Sequence, residues 1–258
     1  PEKFVEGIYK LGIATPLNLD IPGAAKKPNI RKPTKENWYK TALPWMSIGY
    51  ETQVPPMNTL AFYNAIANNG VMVKPKFVKA IMKDGQVVEE IPTEVLNPAI
   101  ASPKTIEQIQ TILQKVVSDG LAKPAGSKQF HVSGKTGTAQ VSKGSGGYKS
   151  GQMQYLVSFC GYFPSEAPKY SCIVAIQKPG LPASGGLMAG SVFSEIAERV
   201  YAKHLALDLK EAKDSTSILT PDVKHGNLAN ARYILDEIDT KTNGVEDYKK
   251  NKPIWGKV

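Results

Sequence analysis

The chain has 258 residues, 41% of them apolar and 21% charged, an ordinary globular composition with length enough for one large core or two smaller ones. That balance excludes disordered and fibrous classes, and no run of about 18 uninterrupted apolar residues marks a membrane helix. The net charge of +9 lies wholly before residue 205, because nine basic and nine acidic side chains cancel from there onward. The lysines are scattered, without the interleaved aromatics of a single-strand-binding groove. This argues against a nucleic-acid partner and leaves a solvated basic face or an anionic surface such as cell wall or membrane. Residues 1–7 have neither the basic start nor the apolar stretch of a signal peptide. An opening proline in place of methionine implies a fragment or processed piece of a longer protein.

Phe4, Val5, Ile8 and Leu11 recur at helical spacing, so the chain is expected to open inside a helix over 2–11. A loop follows through Pro16, Pro22, Gly23, Pro28 and Pro33. Leu60, Ala61, Tyr63, Asn64 and Ala67 predict a helix over 57–67, entered from Pro55-Pro56 and closed by Asn68-Asn69-Gly70. Residues 71–81 and 87–91 alternate around Asp84-Gly85, a hairpin signal. Ser102 as N-cap, with Pro103 first in the helix, predicts a helix to about 118 with Ile106, Ile109, Ile112, Leu113 and Val116 inward. Three strand-like segments, 130–141, 153–163 and 170–178, then suggest an antiparallel sheet. Residues 142–151, rich in glycine, suit a mobile connection beside a site. A helix is expected over 187–205, with Val192, Phe193, Ile196, Ala197 and Val200 on one face. Beyond it, 205–258 reads as a charged tail or linker with a helical patch over 229–238. The expected fold class is α+β, an antiparallel sheet packed against helices in a domain over 1–204.

Cys160 and Cys172 are the two cysteines, too few for a disulfide scaffold and without metal-ligand spacing. A hairpin turning over 164–169 and centred on Glu166 would set them opposite each other. Two readings follow: a cross-strand disulfide, or two buried thiols, with one register slip between them. His131, His204 and His225 are far apart in sequence and are read as structural or surface residues. No cofactor or metal is called for.

Chemistry concentrates in Ser133-Gly134-Lys135-Thr136-Gly137-Thr138-Ala139-Gln140. Gly-Lys-Thr ends a phosphate-binding loop, but that loop needs glycine where this chain has Gln129, and a helix directly after, where strand residues continue here. Lys-Thr-Gly in a strand instead suits one wall of a penicillin-recognising site. An edge strand offers backbone groups to an extended peptide. A glycine at 137 removes a side chain that would hold substrate away. Lys135 supplies a charge for a carboxylate or a proton relay, Thr136 supplies a hydroxyl, and an N–H just past the glycine can stabilise an oxyanion.

Five segments in one order resemble class B penicillin-binding proteins, the monofunctional transpeptidases of cell division and elongation. They are Leu19-Asp20-Ile21-Pro22-Gly23; Ser47-Ile48-Gly49-Tyr50-Glu51 with the helix ending Ile66-Ala67-Asn68-Asn69-Gly70; Lys135-Thr136-Gly137-Thr138-Ala139-Gln140; Ser158-Phe159-Cys160-Gly161-Tyr162-Phe163-Pro164; and Val192-Phe193-Ser194-Glu195-Ile196-Ala197. Glu51 departs from the glycine of many members. The resemblance implies a penicillin-recognising serine transpeptidase fold, incomplete here. It also implies that Lys135 holds the substrate carboxylate and connects to a serine of the second motif. Thr136 would bind that carboxylate, Gly137 would allow close approach, and Thr138 would lend its backbone N–H to the oxyanion hole.

The implied reaction is acyl transfer: a serine attacks a D-Ala-D-Ala peptide bond of a peptidoglycan stem peptide, and a neighbouring amine resolves the acyl-enzyme. β-Lactam antibiotics and other cell-wall synthesis or divisome proteins are the implied partners. The implied location is the outer face of the cytoplasmic membrane, with an N-terminal anchoring helix upstream. No serine here has lysine three residues on, and no Ser-x-Asn occurs, so the nucleophile and second motif are expected upstream and the chain alone is expected to be inactive. A non-catalytic cell-wall-binding pseudoenzyme and a β-lactamase or β-lactam sensor of the same fold are the alternatives.

Overall fold

Three chain starts and turns follow directly from local chemistry in the computed structural model, which describes residues 1–19, 21, 27–141 and 154–203 and the backbone of 204–212. Helix α1, Glu2–Lys10, opens the chain. Helix α3, Pro56–Ala67, starts from Pro55-Pro56, whose rings preset the first turn. Helix α4, Pro103–Ser118, is capped by Ser102, whose hydroxyl accepts the Thr105 N–H at 3.2 Å. Between α3 and α4, Asp84 and Gly85 take φ of 52° and 79° and turn β4, Ala80–Lys83, into β5, Gln86–Glu90. Both residues at positive φ is the hairpin turn that Asp-Gly favours.

The alternation over 71–81 is not one strand. Met72–Val73, β3, pairs with Val95–Asn97, β6, and the strand stops before Pro75, which has no N–H to donate to a ladder. The hairpin strand begins afresh at Ala80. Nearer the N-terminus, β1 (Asn29–Ile30) pairs with β2 (Thr52–Gln53) on either side of a short helix α2, Ala42–Ser47. These pieces and α1 share a small core of Val5, Ile30 and Met46, against which Ile8, Ile13, Ala14 and Trp38 pack.

The main sheet has the order β7-β8-β9, all antiparallel, from Ser133–Val141, Gln154–Phe163 and Tyr170–Gln177. Residues 130–132 precede the first strand and do not belong to it. Residues 164–169 form the β8–β9 connection, flanked by the pair Phe163 and Tyr170. The turn's centre therefore falls between Glu166 and Ala167, half a residue past Glu166. Cys160 consequently faces Ile173, and Cys172 faces Gly161. A one-residue slip reverses the face, so the two side chains lie on opposite sides of the sheet and remain free thiols. The disulfide reading is thus corrected in favour of two buried or half-buried thiols, both pushed to higher pKa chiefly by burial.

Each face of this sheet carries its own core. On one, Tyr162 packs with Ala65 and Ile66 of α3, Met72, Ile100, and Ile106 and Leu113 of α4. On the other, Phe159 and Phe163 meet Phe193 at ring-centroid distances of 4.6 and 5.8 Å, and Phe130 stacks on Phe163. The final helix is entered by a π-helical turn, Gly185–Gly190, before α5, Ser191–Ala212, so the regular helix starts later than 187 and runs past 205. Only one edge of each expected apolar stripe is used. Phe193 and Ala197 are buried while Val192 and Ile196 are exposed, and α4 buries Ile106, Leu113 and Val117 while Ile112 faces solvent.

Pro1–Arg199 forms one compact unit. Of the unit Val200–Val258, only the end of α5 is described. The expected helical patch over 229–238, the glycine-rich connection after Val141 and most of the Leu19–Gly23 segment lie outside the described residues.

Candidate active site

The open edge of β7 is the natural starting point, because among the described residues β7 pairs only with β8 and so leaves one row of backbone groups to other partners. Which groups face outward follows from one contact: the Gln140 N–H donates to the Tyr50 hydroxyl at 3.1 Å, away from β8. Backbone orientation repeats every second residue in a strand, so Thr138 and Thr136 also direct their N–H and C=O outward. A second contact agrees with this. Lys135 curls its ammonium around the same edge to the Thr136 carbonyl at 3.1 Å, with the Thr136 hydroxyl 3.5 Å away. A cation, a hydroxyl and the outward N–H groups of Thr136 and Thr138 therefore stand together along one exposed edge. These are the groups needed to hold a carboxylate and an oxyanion on an extended peptide.

The side chains divide between the faces. Lys135 and Gly137 share a face with Cys160 and Ser158, while Thr136 and Thr138 share the other with Phe159 and Val157. A Cβ at Gly137 would lie 2.6 Å from Ser158 Oγ, so an internal neighbour claims the space beside this glycine. On the threonine face, Gly185 and Gly186 press against the strand. A Cβ on Gly185 would meet the Gly137 carbonyl oxygen at 2.4 Å and that of Ser158 at 2.8 Å, and one on Gly186 would meet the Leu121 carbonyl oxygen at 2.5 Å. The Gly185 N–H also donates to Thr138 Oγ1 at 3.1 Å. The π-helical turn is in this way fastened to the back of the Lys-Thr-Gly strand, and only glycine permits that approach. Gly185 and Gly186 stand just before the helix expected from sequence and belong to no motif singled out there. Their adjacency was the available signal.

Beyond Thr138 the edge is met by the segment around Tyr50. A cavity of about 680 Å³ lies there, with Arg31, Tyr50 and Glu51 on one side and Ala139, Gln140 and Val141 on the other. Glu51 takes φ of 58°, a left-handed backbone that costs a non-glycine residue roughly 1–2 kcal/mol. Glycine would take this backbone without that cost. Here the glutamate is held: Arg31 Nε donates to Oε2 at 2.5 Å, the Tyr39 hydroxyl donates to Oε1, and the Arg31 guanidinium lies over the Tyr39 ring at 5.1 Å. The Tyr39 hydrogen bond, with Arg31 reinforcing it against partial burial, keeps the carboxyl below its ordinary range.

His131 lies just before β7, and its Nδ1 pairs at the surface with Glu166 of the β8–β9 connection. The side chains of His204 and His225 lie outside the described residues. Among the described residues no three His, Cys, Asp or Glu side chains converge on a metal position.

An edge strand bearing Lys-Thr-Gly, backed by two helices on one face and a C-terminal helix on the other, defines a penicillin-recognising transpeptidase wall. Residues 1–198 match the penicillin-binding protein transpeptidase domain, and the chain belongs to that family, in its class B branch. Penicillin-binding protein PbpB of Mycolicibacterium smegmatis is 28% identical over 215 residues, 79% of this chain and 32% of that protein. The chain spans about a third of the length of such curated relatives. Among solved structures, penicillin-binding protein 3 of Mycobacterium tuberculosis aligns with a TM-score of 0.67 at 26% identity, covering 79% of this chain and 47% of that one. The transpeptidase domain of Burkholderia pseudomallei penicillin-binding protein 3 aligns with a TM-score of 0.62 at 27% identity, covering 79% and 57%. The Mycobacterium protein has also been solved in complexes with ampicillin and with aztreonam.

Proposed function

We propose that this chain is the Lys-Thr-Gly half of a peptidoglycan D,D-transpeptidase whose serine nucleophile and second active-site motif lie N-terminal to it. The observation that carries the reading is the open edge of β7, where the Lys135 ammonium, the Thr136 hydroxyl and the outward Thr138 N–H line one groove wall. In the complete protein Lys135 and Thr136 bind the carboxylate of the D-Ala-D-Ala terminus, and a β-lactam's carboxylate occupies the same place. The peptide then lies along the strand edge and its reacting carbonyl oxygen meets the Thr138 N–H. Negative charge on that oxygen, as the serine adds, strengthens the hydrogen bond in the transition state. Gly137 keeps the strand close to Ser158 and Gly185, which holds the Thr138 N–H in register. Lys135 links to the second-motif serine and so joins the two halves of the proton relay.

By itself the chain has binding and oxyanion groups but no attacking atom, so it forms no acyl-enzyme. Among the described residues no helix is long and apolar enough to cross a membrane. The resemblance and the relatives support an extracytoplasmic position at the bacterial membrane, with the transpeptidase domain ending near residue 204 and a tail following. Incubation with a fluorescent penicillin and denaturing electrophoresis tests the proposal. The complete protein should label covalently and lose labelling by about a hundredfold or more in Lys135→Ala, and the isolated chain should stay unlabelled. Labelling of the isolated chain, or an unlabelled complete protein with both upstream motifs, would overturn it.

A further inference from the structure

We infer that Glu51 is a positioning residue: clamped by Arg31 and Tyr39, it locks the turn after Tyr50 and so pins the Tyr50 hydroxyl to the open edge of β7. The inference rests on the transpeptidase reading of that edge and deepens it.

Tyr50 stands between two left-handed residues, Gly49 at φ 98° and Glu51 at φ 58°. Its own backbone N–H donates to the Trp45 carbonyl at 3.1 Å, and its ring meets Trp45 edge-on at 5.2 Å between centroids. The direction in which the ring leaves the backbone therefore depends on both flanking turns keeping their hand. Gly49 adopts its conformation freely, but Glu51 does not, and something must hold it there. Both carboxylate oxygens are engaged, one by Arg31 and one by Tyr39, and the Glu51 carbonyl accepts the Arg31 N–H at 3.3 Å. Arg31 is fixed in turn, because Nη1 donates to the Asn37 carbonyl at 3.0 Å and its guanidinium covers Tyr39. The clamp thus ties β1, the loop before α2 and β2 into one support.

That support holds in place the hydrogen bond from Gln140 N–H to Tyr50 Oη. It falls on the same edge as Thr138 N–H, two residues along the strand. The strand on that side of Thr138 runs beside the cavity, and Tyr50 crosses that gap to reach it. An oxyanion donor works only within a few tenths of an ångström of its place, so freeing the strand beyond Thr138 should slow acylation more than it weakens initial binding. Glu51 touches neither substrate nor reacting atoms in this scheme. It acts through Tyr50.

The test uses the complete protein carrying Tyr50→Phe, Glu51→Ala, Glu51→Asp and the Tyr50→Phe/Glu51→Ala pair. Stopped-flow acylation by a fluorescent penicillin separates pre-covalent affinity from the acylation rate, and amide hydrogen exchange reports on Gln140. Tyr50→Phe and Glu51→Ala should each slow acylation by about tenfold to a hundredfold with pre-covalent affinity within about twofold, and should speed Gln140 exchange. The double variant should be no slower than Tyr50→Phe, because Glu51 acts through the Tyr50 hydroxyl. Glu51→Asp, too short to reach both partners, should show a partial effect. Unchanged Gln140 exchange in Glu51→Ala, or additive losses in the pair, would overturn the clamp. A complete wild-type protein that is never acylated would overturn the transpeptidase reading and the catalytic half of this inference, while the exchange measurement would still decide whether the clamp exists.

Discussion

The sheet β7-β8-β9 and the hairpin β4-β5 both rest on alternating sequence, yet they end in opposite environments. In the sheet, Val157, Phe159, Tyr162 and Phe163 are almost completely inaccessible. In the hairpin every residue of β5 is exposed, and Ile81, Met82, Val87 and Val88 of its two strands are about half or more accessible. The difference lies in what covers each face. The sheet has α3 and α4 on one side and α5 on the other, while the hairpin is a two-stranded unit of the kind that is only marginally stable without support. The candidate site sits on the covered strands, where a donor can be held to a fraction of an ångström.

If burial is what separates the two regions, truncation in the sheet's core must hurt most. Phe193→Ala removes the ring that Phe159 and Phe163 both contact and should destabilise the protein by about 3–5 kcal/mol. Chemical denaturation followed by fluorescence would read this as a lower midpoint at unchanged slope, and a loss below about 1 kcal/mol would break the comparison. Gly185→Ala comes next. Its new methyl would fall on backbone oxygens of Gly137 and Ser158, which cannot swing aside, so a loss of about 1–3 kcal/mol is expected. Penicillin labelling should slow in parallel, because the same displacement moves the strand that carries Thr138. Full stability and full labelling would show that the π-helical turn is free to back away.

The same contrast explains what could be read from sequence. The sheet's three strands, the Asp84-Gly85 turn and the Ser102 cap were legible because each rests on local chemistry: alternation, positive φ and a hydroxyl at an N-cap. The Lys135 to Thr138 group was legible as a motif. Its outward backbone was not, since the direction of a strand's N–H groups is set by which neighbour pairs with it. Cys160 and Cys172 illustrate the limit most sharply, because half a residue in the position of a turn decided between facing thiols and thiols on opposite faces. Ile112, Val192 and Ile196 were expected inside because apolar periodicity gives the width of a stripe and not the part of it that meets a partner. Tyr50 and Gly185 were invisible as site residues. Their roles come from contacts 90 and 47 residues away along the chain.

Electrostatics offers a smaller effect, outside both regions but bearing on the sheet's open edge. The Glu51 carboxyl is held below its ordinary value near 4.5, first by the Tyr39 hydroxyl and then by Arg31. A lowered folded-state value means stability that is fully present above the unfolded value and lost as pH falls through the folded one. Glu51→Gln should therefore be less stable than wild type at pH 7 by about 1 kcal/mol or less, as expected of a partly exposed ion pair. The gap between the two melting curves should close as pH falls below about 4.5, the ordinary carboxylate value. A gap that stays constant to pH 3 would assign the difference to the shape of the side chain and not to its charge.

The smallest effect belongs to the hairpin, and it is the sharpest test of the comparison because the prediction is close to zero. Val88 lies opposite the register shift between Ile81 and Met82 and is 64% accessible, so its methyl groups leave little apolar surface to lose. Val88→Thr keeps the β-branch and the shape while replacing one methyl by a hydroxyl that water can solvate. In a buried strand that exchange would strand a polar group and lower stability by about 1–3 kcal/mol. Here it should change the melting midpoint by no more than the equivalent of about 0.5 kcal/mol. The parallel substitution Val157→Thr, on a strand residue with no accessible surface, should show the full penalty. Equal losses at the two positions would mean that something in the complete protein covers the hairpin, and that its exposed apolar residues belong to an interface.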